Sequence, residues 1–222
     1  MTTFLLLRHA HSMANESGIL AGRIAGIELS EIGTRQSSQL NNALKDVVID
    51  RIVISPLQRC KDTIAHTAKR RKKRIFTDSA FIEMDYGQWS GRSLKELVKE
   101  KAWKTIQKSP KNFTFPQGES FSDAAKRIER GLTSLTKKYP DETILIVTHG
   151  DVIKMALQLT HGGELNRFQN FVVDTCSLSE LQWSKNSRLV VRSNVRLVKM
   201  NADNGRKSSI VRRKVLGGGS GV

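Results

Sequence analysis

The stretch Phe4-Leu5-Leu6-Leu7-Arg8-His9 joins four apolar residues directly to a cation and an imidazole. Two later stretches are built in the same way: Ile52-Val53-Ile54 runs into a turn that reaches Arg59, and Ile144-Leu145-Ile146-Val147 runs into Thr148-His149-Gly150. Short apolar runs bounded by turn residues are typical of buried strands in a parallel sheet. Because ligands of open α/β sheets bind beyond the carboxyl ends of the strands, these polar side chains should share one pocket.

The predicted pocket would collect two guanidinium groups and two imidazoles, which belong to Arg8, His9, Arg59 and His149. Guanidinium groups match the geometry of phosphate oxygens, so the set favours a multiply charged oxyanion, above all phosphate. Ser12 and Asn15, in the loop after the first strand, are candidate neutral donors to the same ligand. Arg23 in Ala21-Gly22-Arg23 is a further candidate for a phosphate contact.

Composition predicts a single soluble domain with a substantial core, since 38% of the 222 residues are hydrophobic. No apolar run approaches the roughly 20 residues that a membrane span requires. The first apolar run is also too short for a signal peptide and lacks a basic leader. Cys60 and Cys176 are far apart in the chain, which argues against a disulfide framework and favours the reducing cytoplasm.

The formal net charge of +16 points to anionic partners. Six consecutive cations occupy residues 69–74, and a second basic cluster lies within residues 206–214. Either a small anionic substrate or a nucleic acid would be attracted, so a basic nucleic-acid-associated protein with a vestigial pocket is an alternative from outside the enzymes. The chain carries no recognised RNA-binding motif, and nothing in it predicts the oligomeric state.

The domain is predicted to span residues 1–199, followed by a basic, Gly-rich tail at 200–222 whose composition is typical of disorder. Strands that alternate with helices predict an α/β fold, a three-layer α/β/α sandwich with a mostly parallel sheet. The predicted strands are Thr3–Leu7, Arg51–Ile54, Thr143–Val147, Ser177–Trp183 and Leu189–Arg192. The predicted helices are Ile32–Leu44, Leu94–Ile106, Phe121–Lys138, Asp151–Leu159 and one that runs to Lys73 with Ser55 as N-cap and Pro56 as its first residue.

The chemistry of the pocket favours a histidine nucleophile, because the chain has neither a Ser-His-Asp order nor a phosphate-binding Gly-rich loop. Phosphoryl transfer then needs charge neutralisation and a proton for the leaving oxygen. Glu83, in the irregular segment from Phe76 to Gly91, is the leading candidate acid, because an apolar loop would raise its pKa. Spacing alone leaves three alternatives open, namely Asp85, Glu119 and Asp151.

Several motifs occur in a characteristic order across residues 3–192: Leu7-Arg8-His9-Ala10-His11-Ser12, Asn15, Ser55-Pro56-Leu57-Gln58-Arg59, Glu83 with Tyr86-Gly87-Gln88-Trp89-Ser90-Gly91, Gly118-Glu119-Ser120 and Val147-Thr148-His149-Gly150. Together they resemble the histidine phosphatase (phosphoglycerate mutase-like) superfamily. There are two departures: Ala10 stands where the family usually has Gly, and His11 stands where it usually has Glu or Gln.

The resemblance implies a phosphoglycerate mutase-like fold and a phosphohistidine mechanism. In that mechanism His9 attacks phosphorus, and Arg8, Arg59 and His149 bind the phosphoryl group. Glu83 protonates the leaving group and later activates water, with no metal or other cofactor required.

Within that family, the chain favours a phosphatase acting on small phosphorylated metabolites. The alternative is a cofactor-dependent phosphoglycerate mutase, a kind of enzyme that usually carries a longer insertion after the acid-bearing loop. Here only Gly91 to Gln117 separates that loop from Gly118-Glu119-Ser120. The sequence does not identify which phosphorylated metabolite is the substrate.

Overall fold

A computed structural model describes residues 1–197 of the chain, so the predicted tail at 200–222 lies outside the described residues. Its centre is a six-stranded sheet in the order β3-β2-β4-β1-β5-β6. The first four strands in that order are parallel to one another. β5 runs antiparallel to β1, and β6 runs antiparallel to β5. The strands are β1 (Thr2–Arg8), β2 (Arg51–Ile54), β3 (Ile75–Thr77), β4 (Thr143–Thr148), β5 (Ser177–Trp183) and β6 (Arg188–Arg196).

Helices cover both faces of the sheet because the side chains of each buried strand alternate between two apolar cores. Phe4 and Leu6 of β1 face one core, and Leu5 and Leu7 face the other. The α-helices are α1 (Met13–Glu16), α2 (Glu31–Ala43), α3 (Gln58–Arg70), α4 (Leu94–Leu97), α5 (Lys101–Lys108), α6 (Phe121–Lys138) and α7 (Gly150–His161). Helices α6 and α7 pack in the first core, and α2 and α3 pack in the second. The predicted three-layer α/β/α sandwich is therefore confirmed.

The start of α3 differs from the prediction. The helix begins at Gln58 after Leu57, which makes no side-chain cap, rather than at Ser55 and Pro56. Ser55 lies before the helix, where its hydroxyl is 2.7 Å from Nε2 of His149 and accepts a hydrogen bond from the backbone N–H of Leu57 at 3.4 Å. The helix ends at Arg70 instead of Lys73, since the chain must turn before β3 begins at Ile75.

Two further predictions needed correction. The single helix expected from Leu94 to Ile106 is two helices, because Glu100 has extended backbone (φ −65°, ψ 139°) and pairs with Arg92 at 2.6 Å. The segment predicted as irregular, Phe76 to Gly91, contains most of β3 and two 3₁₀ helices, at Ser79–Phe81 and Gly87–Trp89. β3 is only three residues long, too short for an alternation pattern to appear in the sequence.

None of the helices within residues 1–197 is both long enough and apolar enough to cross a bilayer.

Candidate active site

The parallel register places the carboxyl ends of β1, β2 and β4 side by side at one edge of the sheet. Arg8 at the end of β1 pairs with Thr148 at the end of β4, and Ile54 at the end of β2 pairs with Val147. The residues that follow these strands therefore meet at one edge of the sheet. The four side chains predicted to share a pocket lie close together at this edge, and each is at most 4% exposed: Arg8, His9, Arg59 and His149.

His9 has the hydrogen-bonding pattern of a nucleophile. Its Nδ1 lies 2.8 Å from the carbonyl oxygen of Ala10. Because a carbonyl only accepts hydrogen bonds, Nδ1 carries the proton and Nε2 keeps its lone pair. Burial, and then the charges of Arg59 and Arg8, lower the pKa of His9 well below its usual value. The ring is therefore neutral at physiological pH and able to attack an electrophile through Nε2.

In each of the two arginines, one nitrogen donates to a backbone carbonyl oxygen, and at least one other has no acceptor within residues 1–197. Nη1 of Arg8 donates to the carbonyl of Val173 at 2.7 Å, and Nη2 of Arg59 donates to the carbonyl of Gly22 at 2.8 Å. Within residues 1–197, Nε of Arg8 and both Nε and Nη1 of Arg59 are buried without an acceptor. An unsatisfied buried donor costs about 1–3 kcal/mol. An oxyanion bound beside His9 would supply the acceptors, since guanidinium groups bind phosphoryl oxygens in this way.

His149 lies beside His9 and Arg59, with its ring centroid 5.3 Å from that of His9. Its Nδ1 is 3.2 Å from Nη2 of Arg59, which can only donate, and its Nε2 is 2.7 Å from Oγ of Ser55. The proton of the neutral ring therefore sits on Nε2. Burial and the charge of Arg59 lower the pKa of His149. To donate to a phosphoryl oxygen from Nδ1, the ring must lose the bond from Arg59 and gain a proton there.

Glu83 is placed as the sequence analysis expected for an acid. Its Oε1 accepts a hydrogen bond from the backbone N–H of Met84 at 2.9 Å, and its Oε2 lies 3.9 Å from Nδ1 of His149. Burial, and then the negative charge of Asp151, raise the pKa of Glu83 to about 7. A large fraction of this carboxyl is consequently protonated at neutral pH, as a general acid requires.

The three alternative acids are each engaged by hydrogen bonds or ion pairs of their own. Asp151 accepts a hydrogen bond from the hydroxyl of Tyr86 at 2.8 Å and pairs with Lys154 at 3.5 Å. Glu119 accepts two hydrogen bonds from Arg127, both at 2.9 Å. Asp85 accepts from the backbone N–H of Gly87 at 3.0 Å and lies 3.5 Å from Arg23. These contacts favour Glu83 among the four carboxyl groups.

Ser12 and Asn15 are engaged with each other at the start of α1. The Ser12 hydroxyl accepts from the backbone N–H of Asn15 at 3.3 Å, and Oδ1 of Asn15 accepts from the backbone N–H of Ser12 at 3.0 Å. This capping box fixes the loop after His9. Their contact with phosphate stays a prediction.

Arg23 lies against the segment that carries the acid. Its Nε donates to the carbonyl of Glu83 at 2.9 Å, and its Nη2 bonds Glu119 at 3.1 Å. A direct phosphate contact by Arg23 stays a prediction, and the contacts described here suit a different role.

Two residues that support the pocket were missed by the sequence analysis. Ser55 bonds the ring of His149, although the sequence suggested a helix cap. The hydroxyl of Thr63 on α3 accepts from the backbone N–H of Ala10 at 2.9 Å and donates to the carbonyl of Arg59 at 2.6 Å. Because their partners are 94 and 53 residues away in the chain, no local pattern could have revealed them.

His11 makes a separate contact outside the phosphoryl pocket. Its Nδ1 lies 2.8 Å from the hydroxyl of Ser30, at the start of α2. Within residues 1–197, no group of three or more His, Cys, Asp or Glu side chains could hold a metal ion.

Part of the basic run at residues 69–74 serves the fold. Arg71 donates to the backbone carbonyls of Leu44 and Val47, and Lys73 donates to that of Asp50 at 3.4 Å. These contacts account for two of the six cations. Nucleic-acid binding through the run stays a prediction.

Several known proteins are similar to this chain in sequence or in fold. Phosphoserine phosphatase 1 of Hydrogenobacter thermophilus is 26% identical over 197 residues, covering 88% of this chain and 93% of that protein. The uncharacterized phosphatase PhoE of Bacillus subtilis is 30% identical over 185 residues, covering 83% and 90%. The structure of YhfR from Bacillus stearothermophilus has a TM-score of 0.81 at 23% identity, covering 88% of this chain and 98% of that one, which confirms the predicted fold. The model of the histidine phosphatase superfamily (branch 1) matches residues 4–196. The chain therefore belongs to the histidine phosphatase superfamily.

Proposed function

We propose that this protein is a phosphatase that hydrolyses phosphomonoesters of small metabolites through a phosphohistidine on His9. The observation that carries the proposal is the hydrogen bond from Nδ1 of His9 to the carbonyl of Ala10, which leaves the lone pair on Nε2 of a buried ring near the charges of Arg8 and Arg59. A nucleophile flanked by two guanidinium groups with open N–H donors suits attack on a phosphoryl group.

The first half of the reaction transfers the phosphoryl group to the enzyme. Nε2 of His9 forms a bond to phosphorus while the bond to the ester oxygen breaks. Arg8 and Arg59 neutralise the oxygens of the phosphoryl group, whose charge is spread in the transition state. The leaving oxygen takes the proton of Glu83, so the product alcohol departs neutral and Glu83 becomes a carboxylate.

The second half releases phosphate. The Glu83 carboxylate accepts a proton from a water molecule, and the water oxygen attacks phosphorus as the bond to Nε2 breaks. Glu83 then holds its proton again and His9 is neutral, so the site is ready for another turnover. No step in this sequence requires a metal ion, because the two guanidinium groups supply the positive charge.

The substrate class is supported by the relatives, since one is named a phosphoserine phosphatase and another an uncharacterized phosphatase. We also propose the cytoplasm as the location, because the chain's two cysteines are both free and buried.

The test is a quenched-flow experiment with 4-nitrophenyl phosphate in EDTA, with the phosphorylated residue located by mass spectrometry. We expect turnover to persist in EDTA and a phosphoryl group to appear on His9. His66→Ala, which changes an exposed histidine on α3, is the matched control and should retain both. Activity lost in EDTA and restored by a divalent ion would contradict the mechanism.

Incubation with 3-phosphoglycerate separates the phosphatase from the mutase. Release of inorganic phosphate supports the proposal. Isomerisation to 2-phosphoglycerate without release of phosphate would overturn it.

A further inference from the structure

The segment that carries Glu83 accepts several hydrogen bonds through its backbone carbonyl groups. We call Ala80–Gly87 the acid loop. Two arginines from distant parts of the chain donate hydrogen bonds to its carbonyl oxygens. Nη1 of Arg127 donates to Ala80 at 2.8 Å and to Ile82 at 3.0 Å, and Nε of Arg23 donates to Glu83 at 2.9 Å.

Glu119 joins the two arginines. Its Oε1 and Oε2 accept from Nε and Nη2 of Arg127, both at 2.9 Å, and Oε2 also accepts from Nη2 of Arg23 at 3.1 Å. The backbone N–H of Glu119 donates to the carbonyl of Asp85 at 2.9 Å. Glu119 and Arg127 are only 14% and 16% exposed, so solvent screens this pair weakly. Paired hydrogen bonds from one guanidinium also fix its orientation.

The three residues come from elements on different sides of the acid loop. Arg127 projects from α6, Glu119 lies just before that helix, and Arg23 lies in the loop after α1. Arg23 follows Gly22, whose carbonyl accepts a hydrogen bond from Arg59. The acid loop is thereby tied to a rigid helix on one side and to the phosphoryl-binding residues on the other.

We propose that Arg23, Glu119 and Arg127 form a clamp that positions the carboxyl of Glu83 at the leaving-group oxygen. None of the three needs to touch the reacting atoms, so they are positioning residues. The inference rests on the proposed function, in which Glu83 is the acid. It has chemical consequences because misplacing a reacting group by about 1 Å can cost about 100-fold in rate.

The experiment compares two esters that differ in their need for an acid. Phenol is a weaker acid than 4-nitrophenol, so phenyl phosphate requires protonation of its leaving oxygen and 4-nitrophenyl phosphate requires much less. The variants are Arg127→Met, Glu119→Gln and Arg23→Met. The matched control is Arg51→Met. Arg51 makes a similar pair of hydrogen bonds to Glu142, at 2.6 and 3.0 Å, but it lies at the start of β2, the end away from the candidate active site.

We expect each clamp variant to lower kcat/KM for phenyl phosphate about tenfold and to change that for 4-nitrophenyl phosphate by about twofold or less, since general acids contribute about 100-fold or more. Arg51→Met should leave the ratio of the two rates unchanged. Equal slowing of both esters, or no slowing of either, would overturn the clamp. If Arg127→Met does not fold, as judged by circular dichroism, the half-exposed Arg23→Met decides.

Glu83→Gln, measured with the same esters, separates the clamp from the proposed function. If Glu83→Gln is selective for phenyl phosphate and the clamp variants are not, the clamp alone is wrong. If Glu83→Gln is not selective, the assignment of the acid is wrong and the clamp falls with it.

Discussion

Arg8, His9, Arg59 and His149, which end or follow the parallel strands, are called here the strand-end residues. They and the acid loop reach the same site by different means. Arg8 is the last residue of β1 and His149 follows the last residue of β4, so the hydrogen bonds between these paired strands set their positions. Glu83 lies between two short 3₁₀ helices, and side chains from α6 and from the loop after α1 hold it. In the proposed mechanism, binding of the phosphoryl group therefore relies largely on residues at or near the strand ends, whereas protonation of the leaving group relies on contacts between distant segments.

The two regions also differ in how they respond to pH. Burial and the neighbouring guanidinium groups lower the pKa of both His9 and His149, so these rings are neutral through the physiological range. Burial and the charge of Asp151 raise the pKa of Glu83 to about 7. In the physiological range, the acid loop is thus the part of the site whose charge changes with pH.

The largest effect should come from His9→Ala, which removes the proposed nucleophile from among the strand-end residues. We expect the steady-state rate of phosphate release to fall about 10⁴-fold or more with both esters, as for other covalent nucleophiles. The phosphorylated enzyme should also disappear from the mass spectrum. A variant that keeps more than a tenth of the activity would show that His9 is not the nucleophile.

The next largest effect should come from Arg59→Met. Removing one preorganised donor costs about 10²–10³-fold in rate. Because the proposed mechanism assigns Arg59 to the phosphoryl group and not to the leaving group, phenyl and 4-nitrophenyl phosphate should be slowed equally. A loss of kcat/KM that differs between the two esters would contradict the division between the strand-end residues and the acid loop. Arg59→Lys keeps the positive charge but loses the planar set of guanidinium donors, so its loss of rate should be smaller than that of Arg59→Met.

Glu83→Gln should act selectively. We expect kcat/KM for phenyl phosphate to fall about 100-fold, because the amide cannot donate an acidic proton. The value for 4-nitrophenyl phosphate should fall only severalfold. Steady-state assays with both esters test this, and equal slowing would move the acid role to another residue.

The pH profile should show the smallest of these effects. Burial and Asp151 raise the pKa of Glu83 to about 7, and the proposed mechanism uses its protonated form as the acid, so kcat/KM for phenyl phosphate should fall as pH rises above 7. The slope should approach a tenfold loss per pH unit. In Glu83→Gln this descending limb should be absent. A limb that persists unchanged in the variant would assign it to another group.

Much of the strand-end region was predictable because its determinants are local. Apolar runs that end in Arg8-His9 and in His149 specify both a buried strand and the residue beyond it. The prediction placed β2 at Arg51–Ile54 and α6 at Phe121–Lys138, as in the structure. The predicted start of α3 was wrong: the helix begins at Gln58, and Ser55 contacts both the backbone N–H of Leu57 and the ring of His149, which is 94 residues away in the chain.

Sequence alone determined the α/β fold class, the order of the motifs and the residues that gather at the edge of the sheet, because strand and helix periodicity and the rule for ligands at strand ends depend on short stretches of chain. Only the tertiary structure decided which nitrogen of His9 is free, which carboxyl has its pKa raised, and that Arg23 faces the acid loop. Proton positions and pKa values depend on burial and on neighbours that are distant in the chain, so they are properties of the folded molecule.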